Sequence, residues 1–256
     1  MHIRVAVGQF PVTLDITRNF NNIKSFFHQV DSDELLILPE GALSGYEDDI
    51  SFLDRIDLHQ LDDALRALEA LVKQKDVHLI FGSCLHEDER WFNAGLYFSP
   101  EGKRFVYRKV NLATHERGHF AAGSQLPVFS LHFENVSIKV GMQLCREIRY
   151  PEQWRYLAQQ GAEIFVYLTN AVSPQQHLSV WRSHLISRAA ENQRFVISAN
   201  TAHPQQHCPT MIISPVGEVL QEIISDKTEL IRSTLHLPDV TNWYLSQCRD
   251  DIVGLY

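Results

Sequence analysis

Three side chains of different chemistry each follow closely on an apolar run. Glu40 follows residues 35–38 in LLILPEGALSGY, Lys109 lies in FVYRKVNLATHERGHF, and Cys145 ends the run VSIKVGMQLC. A free thiol has a pKa of about 8.5, so at neutral pH it is mostly protonated, yet the thiolate is the nucleophile. A neighbouring ammonium lowers that pKa, and a carboxylate at hydrogen-bond distance accepts the thiol proton. The same ammonium stabilises negative charge that builds on a carbonyl oxygen, and the backbone N–H of Arg146 is placed to help where the turn after Cys145 is sharp. Together these groups make an acyl-transfer site that needs no metal and no cofactor. Each also has a plainer reading: a core cysteine, a loop carboxylate, a lysine on a solvated basic face with Arg104 and Arg108. A charge directly after Leu-Ile-Leu-Pro is partly buried, however, and an unpaired buried carboxylate costs several kcal/mol. A lysine partner for Glu40 is therefore physically expected.

The elements that must position this trio are read from hydrophobic periodicity. Residues 3–9, 34–38, 78–82, 105–110, 136–144, 163–168, 195–199 and 210–213 read as strands, several of them continuous apolar runs typical of strands covered on both faces. Leu58, Leu61, Leu65, Leu68 and Val72 recur at helical spacing, as do Leu178, Trp181, Leu185 and Ala189, with Arg182 and Arg188 placed on other faces. Residues 15–30 form a third helix with Phe20, Ile23 and Phe27 inward, and Pro151–Glu152 suits a fourth helix start. Strands alternating with helices predict a layered α/β domain. Side chains at the carboxyl ends of its strands converge on one rim, where Glu40, Lys109 and Cys145 would meet. No linker, repeat or low-complexity stretch divides the chain, so residues 1–256 read as one domain.

Composition narrows the partners. The 256 residues carry 23 Lys plus Arg against 31 Asp plus Glu, a formal charge of −8, with no basic run. That balance excludes nucleic acid as a partner. The charge-free stretch of residues 164–181 is broken by Thr169, Asn170 and Pro174 and falls short of the about 20 apolar residues of a membrane span. The opening MHIRVAVGQF reads as a first strand and not as a leader. Cys84, Cys145, Cys208 and Cys248 form no CxxC pair, which argues against structural zinc and makes a reducing, cytoplasmic setting the default. The 13 histidines lack metal-ligand spacing. No metal and no cofactor are expected.

The three segments, in the order carboxylate, lysine, cysteine, followed by GAEIFVYLTNA, WRSHLISRAAENQRFVISAN and TMIISPVGEVLQE, resemble the nitrilase, or carbon–nitrogen hydrolase, superfamily. The matching pieces run from about residue 5 to about residue 222. The resemblance implies Glu40 as general base, Lys109 as catalytic lysine and Cys145 as nucleophile. Glu116, seven residues after Lys109, matches an auxiliary glutamate that orients the lysine. It implies a four-layer αββα sandwich of two mixed β-sheets flanked by helices. It implies a homodimer paired through the helices of residues 152–160 and 176–192, with the tail of residues 239–256 reaching the partner. The activity it implies is hydrolysis of a non-peptide C–N bond in a small amide through a thioester acyl-enzyme. A nitrilase or an N-carbamoyl amine hydrolase would use the same triad, and a dormant scaffold is the non-enzymatic alternative. The chain departs from the common pattern at Asn111, where histidine is frequent, and at Arg146–Glu147, where an aromatic–aspartate pair is frequent. Closeness to the motifs nominates Tyr46, His119, Phe120, Tyr150, Asn170 and Trp181 as pocket lining.

Overall fold

In a computed structural model that describes residues 1–172 and 175–249, the chain builds two six-stranded sheets. The first half contributes β1 (His2–Gln9), α1 (Ile16–Phe26), β2 (Glu34–Ile37), α2 (Leu58–Lys75), β3 (His78–Glu87), β4 (Arg90–Phe98) and β5 (Arg104–Arg108). The second contributes β6 (Val128–His132), β7 (Ser137–Leu144), α3 (Pro151–Gln159), β8 (Ile164–Leu168), α4 (Leu178–Asn192), β9 (Phe195–Ala199), β10 (Thr210–Ile213) and β11 (Val219–Ile223). The last strand, β12 (Glu229–His236), returns to pair antiparallel with β1. The sheet orders are β12-β1-β2-β3-β4-β5 and β11-β10-β9-β8-β7-β6. In each sheet the central strands run parallel and the outer pairs antiparallel.

Alternation along the strands makes the layers. Val5, Val7, Leu35, Ile37 and Ile80 of the first sheet share one core with Val140, Met142, Leu144, Val166 and Ile197 of the second. The opposite faces, with Ala6, Leu36, Leu79 and Phe81, lie under Ile23 and Phe26 of α1 and Leu61, Leu65, Leu68 and Val72 of α2. Phe165, Tyr167, Val196 and Met211 lie under Trp154 and Leu157 of α3 and Leu185 and Ala189 of α4. The result is the four-layer αββα sandwich that the family resemblance implies. Each fully buried large apolar side chain contributes about 1.5–3 kcal/mol, so the shared inner core holds the two sheets face to face.

Helix ends follow local chemistry. The Asp15 carboxylate accepts the Arg18 amide at 3.0 Å, and Asp57 accepts those of His59 and Gln60, satisfying donors that have no partner inside their helices. Pro151 opens α3 with Glu152 in the first turn.

Several expectations are corrected. β4, β6 and β12 were not expected as strands. β4 carries Asn93 and Gly95 within its apolar run, and β12 is an edge strand of mixed polarity. α1 is shorter than residues 15–30, and its buried side is Ile16, Asn19, Ile23 and Phe26. Arg188 is buried, because its guanidinium donates to the Ile148 carbonyl at 2.9 Å and to Glu191 at 2.9 Å. Apart from these corrections, in the described part of the tail Asn242 and the Thr241 carbonyl accept from Arg194 and the Tyr244 amide donates to Gln193. Residues 250–256 of the tail lie outside the described residues.

Candidate active site

Glu40, Lys109 and Cys145 come from three turns that leave β2, β5 and β7 on the same rim. β2 ends at Ile37, and the chain turns through Pro39 directly over β3. Gly82 of β3 makes this possible: a Cβ there would stand 2.4 Å from the Cα of Glu40. The Gly82 amide also donates to the Pro39 carbonyl at 2.9 Å, which fixes the turn. Lys109 follows β5 and is held by its amide to the Asn93 carbonyl at 2.9 Å and by Gly123, whose amide donates to the Lys109 carbonyl at 2.8 Å. A Cβ at Gly123 would meet the Arg108 carbonyl oxygen at 2.1 Å.

The Lys109 ammonium is fully buried between two carboxylates that are themselves fully buried. Its Nζ lies 2.9 Å from Glu116 Oε1 and 3.4 Å from Glu40 Oε1. Asn93 Nδ2 donates to both acids, at 2.7 Å to Glu40 and 2.8 Å to Glu116. Glu40 accepts the Asn170 amide at 2.9 Å, and Glu116 accepts the Ala113 amide at 2.5 Å and the Tyr46 hydroxyl at 2.9 Å. Two carboxylates share one ammonium, so their proton affinities separate. Burial, reinforced by the charge of Glu116, raises the Glu40 carboxyl above the usual carboxylate range against the pull of Lys109. At Glu116 burial acts in the same upward sense, but Lys109 and the hydrogen bonds outweigh it and hold the carboxyl low. Burial alone would lower the Lys109 ammonium, yet Glu40, Cys145 and Glu116 keep it well above its ordinary value. The arrangement is a fixed ammonium–carboxylate pair with a second carboxylate of heightened basicity beside it.

Cys145 opens a short 3₁₀ turn, Cys145–Arg149, at the end of β7. Its φ of +40° lies in the left-handed region, an uncommon conformation for a residue with a Cβ and a mark of stored strain at functional turns. The Tyr167 hydroxyl donates to the Cys145 carbonyl at 2.7 Å and holds the turn. Burial and the charge of Glu40 push the thiol up to about 12, opposed by Lys109. At rest the sulfur therefore keeps its proton until a base takes it.

A side chain that sequence reasoning did not single out for this purpose organises the turn. Glu147 is fully buried, and its carboxylate accepts four hydrogen bonds. The donors are the amides of Val110 (2.9 Å), Asn111 (3.0 Å) and Leu144 (2.8 Å) and the Tyr107 hydroxyl (2.7 Å). Asn93 was likewise missed. A polar amide inside the apolar run of WFNAGLYF was the signal that could have found it.

A cavity of about 490 Å³ is lined by Cys145 together with Tyr46, Asn170, Trp181, Arg146, Arg149 and eleven further residues. Three of the six nominated lining residues are thus brought to it. The other three are not. Phe120 turns away and packs with Ile50, Phe52 and Cys84 in a satellite core, while its amide reaches back to Glu116. His119 is exposed on the loop after Glu116, and Tyr150 is half-buried at the start of α3. In each case a tight turn reverses the chain within a few residues, so closeness in sequence does not become closeness in space. Among the described residues no group of three or more His, Cys, Asp or Glu side chains stands ready to hold a metal ion, and no helix is long and apolar enough to cross a membrane.

A thiol on a strained turn above a buried ammonium and a basic carboxylate, set on the rim of an αββα sandwich, is the construction of a thiol-dependent acyl-transfer enzyme. Residues 4–244 match the family described as Carbon-nitrogen hydrolase, and the chain belongs to that family. It is a carbon–nitrogen hydrolase. A probable nitrilase of Schizosaccharomyces pombe is 28% identical over 91% of this chain and 88% of its own length. The 2-oxoglutaramate amidase of Bacillus subtilis strain 168 is 32% identical over 78% of this chain and 79% of its own. Among solved structures, a variant of the amidase of Nesterenkonia sp. AN1 superposes with a TM-score of 0.82 at 22% identity, covering 98% of this chain and 95% of that one. That variant carries the acetamide moiety of fluoroacetamide covalently added at its active-site cysteine.

Proposed function

We propose that this chain hydrolyses small non-peptide amides through a thioester at Cys145. The observation that carries the reading is the Lys109 ammonium locked between Glu40 and Glu116 beneath the strained Cys145 turn. In the first half-reaction Glu40 accepts the thiol proton as the sulfur attacks the amide carbon. The Lys109 ammonium and the Arg146 N–H stabilise the oxyanion, and Glu116 holds the lysine in place. The tetrahedral intermediate collapses with proton return from Glu40 to the leaving nitrogen, and ammonia or an amine departs. In the second half-reaction Glu40 takes a proton from water, which attacks the thioester and releases the acid and the thiol. Two carboxylates of unequal basicity suit this division, one cycling protons and one kept ionised.

The amide-acting relatives support this reading. A nitrile would pass through a thioimidate on the same residues, as would a carbamoyl substrate through its own acyl-enzyme. Ammonia release is therefore measured over a panel of small amides, nitriles and carbamoyl amines, with intact-mass detection of the Cys145 adduct. Turnover of amides with a thioester adduct, abolished in Cys145→Ala, is the expected result. Absence of turnover across the panel, or an unchanged rate in Cys145→Ala, overturns it.

Residues 1–256 are proposed to act as one domain, supported by the inner core that both sheets share. A cytoplasmic homodimer paired through α3 and α4 completes the reading, in keeping with the family resemblance. Sedimentation at micromolar protein tests it, with a species of twice 29.5 kDa expected and a lone 29.5 kDa species as the contrary outcome.

A further inference from the structure

The acidic, arginine and histidine side chains that line the cavity are Glu47, Asp48, His115, Arg146, Arg149 and His203. Five of the six are already engaged. Glu47 accepts from Arg55 at 3.0 Å, and Asp48, 94% exposed toward solvent, lies 3.6 Å from His115. Arg149 stands 3.0 Å from His184 and lies over the Trp181 ring at 5.7 Å, and His203 accepts the Gln205 amide at 3.1 Å. Arg146 is different. Its guanidinium is exposed and has no hydrogen-bond, ion-pair or ring partner among the described residues. It also lines the same cavity as Cys145, so it faces the space that a ligand on the nucleophile would fill.

The floor beneath it has the opposite character. Two carboxylates share one ammonium there, so an anion placed against Cys145 is repelled while a neutral amide is accepted. An uncommitted guanidinium presents a planar fork that pairs bidentately with a carboxylate. Trp181, Val172, Ala171 and Pro11 wall the same cavity, and apolar walls strengthen that attraction.

We infer that the substrate is a short amide that also bears a carboxylate, with the neutral amide over Cys145 and the carboxylate held by Arg146. This inference rests on the amidase reading above and adds a residue that sets its specificity. The carboxylate has two possible sources, the acyl part or the departing amine, and the recognition chemistry is the same for both.

The test compares kcat/KM of the full-length enzyme at low salt for four amides. Succinamate carries the carboxylate on the acyl side and N-acetylglycine on the leaving side; butyramide is neutral and 4-aminobutyramide cationic. At least one carboxylate substrate is expected to exceed butyramide about tenfold or more, as a charge-assisted pair allows. That ratio collapses in Arg146→Gln, and Arg146→Glu shifts preference toward 4-aminobutyramide. Hydrolysis with no preference for either carboxylate, or a ratio untouched by Arg146→Gln, overturns the inference and leaves the amidase reading standing. No hydrolysis of any of the four sinks the amidase reading for small amides instead. Calorimetric binding of succinamate and N-acetylglycine to Cys145→Ala then decides the anchor by itself. Binding of either that is lost in Cys145→Ala/Arg146→Gln upholds it, and no binding of either, or binding indifferent to Arg146, overturns it.

Discussion

The Glu147 carboxylate accepts the backbone amide of Val110 at 2.9 Å, and with its other oxygen it accepts the amide of Leu144. One buried side chain thereby ties the residue after Lys109 to the residue before Cys145. The two turns that carry the ammonium and the thiol are joined through an acid that touches neither reacting group. Burial raises the Glu147 carboxyl, and the hydrogen bonds from Asn111, Leu144 and Tyr107 offset that effect.

Replacing Glu147 with Ala leaves three amides and a hydroxyl without their acceptor, at about 1–3 kcal/mol for each buried group left unsatisfied. We expect a fall in Tm of at least about 4 °C, using roughly 2–4 °C per kcal/mol for a chain of this size. In the proposed mechanism the misplaced groups act in the transition state, so kcat should fall about tenfold to a hundredfold with little change in KM. Glu147→Asp should recover part of both. Calorimetry beside steady-state kinetics checks this, and a Glu147→Ala enzyme with normal kcat removes the positioning role.

The pH dependence of kcat/KM follows from the unequal acids. In the proposed mechanism Glu40 must be ionised to take the thiol proton, so activity should rise as pH passes upward through its pKa. Burial raises that pKa, so the acid limb should stand above the ordinary carboxylate range. The charge of Glu116 is a further cause of the rise. Glu116→Gln removes that repulsion and leaves Lys109 wholly to Glu40, so the limb should move to lower pH even as the maximal rate falls. A limb that stays in place or moves upward contradicts the assignment of Glu40 as base.

How legible this was in the sequence depended on what each residue answers to. The trio was legible because each member follows a strand, and strand ends of a layered α/β sheet share a rim. Glu116 was legible from its place in the lysine segment. Asn93 was not, because it sits in β4, whose apolar run it interrupts; the period that announces a strand was broken by the residue the site needs. Glu147 stood out only as a departure from a common pattern, and so did the side chain of Arg146, whose backbone N–H alone was read as an oxyanion donor. The structure separates them: Glu147 points inward to backbone amides, and Arg146 outward to the cavity. His119, Phe120 and Tyr150 were misplaced because nearness along the chain says nothing about which way a tight turn sends a side chain.

Lys109→Met should expose the cost of gathering these acids. Two carboxylates then share one Asn93 donor with no cation between them, and removing one partner of a buried ion pair costs about 3–5 kcal/mol. Without the ammonium the folded-state pKa of both carboxyls rises above the unfolded value. Stability is then fully present below the unfolded pKa and is lost as pH rises through the folded pKa. The variant should therefore melt at a higher temperature at pH 5.5 than at pH 7.5, in addition to being inactive. A Tm for Lys109→Met that increases with pH across that interval contradicts the shared burial of Glu40 and Glu116.

Gly82 offers a way to move the base without touching it. The Cβ of Gly82→Ala would stand 2.4 Å from the Cα of Glu40 and 2.6 Å from the amide nitrogen of Gly41, both backbone atoms that cannot rotate away. Either β3 or the turn at Pro39 must shift, and an overpacked core position costs about 1–3 kcal/mol. Displacing Glu40 by about 1 Å relative to the sulfur lowers the rate about a hundredfold. Gly95→Ala supplies the contrast, since its nearest neighbour is the flexible Met142 Sδ at 3.1 Å, a thioether that yields. Gly82→Ala should lose activity well beyond what its change in Tm explains at assay temperature, while Gly95→Ala keeps most of it. Equal activity in the two variants means that the backbone contact of β3 under Glu40 does not set the position of the base.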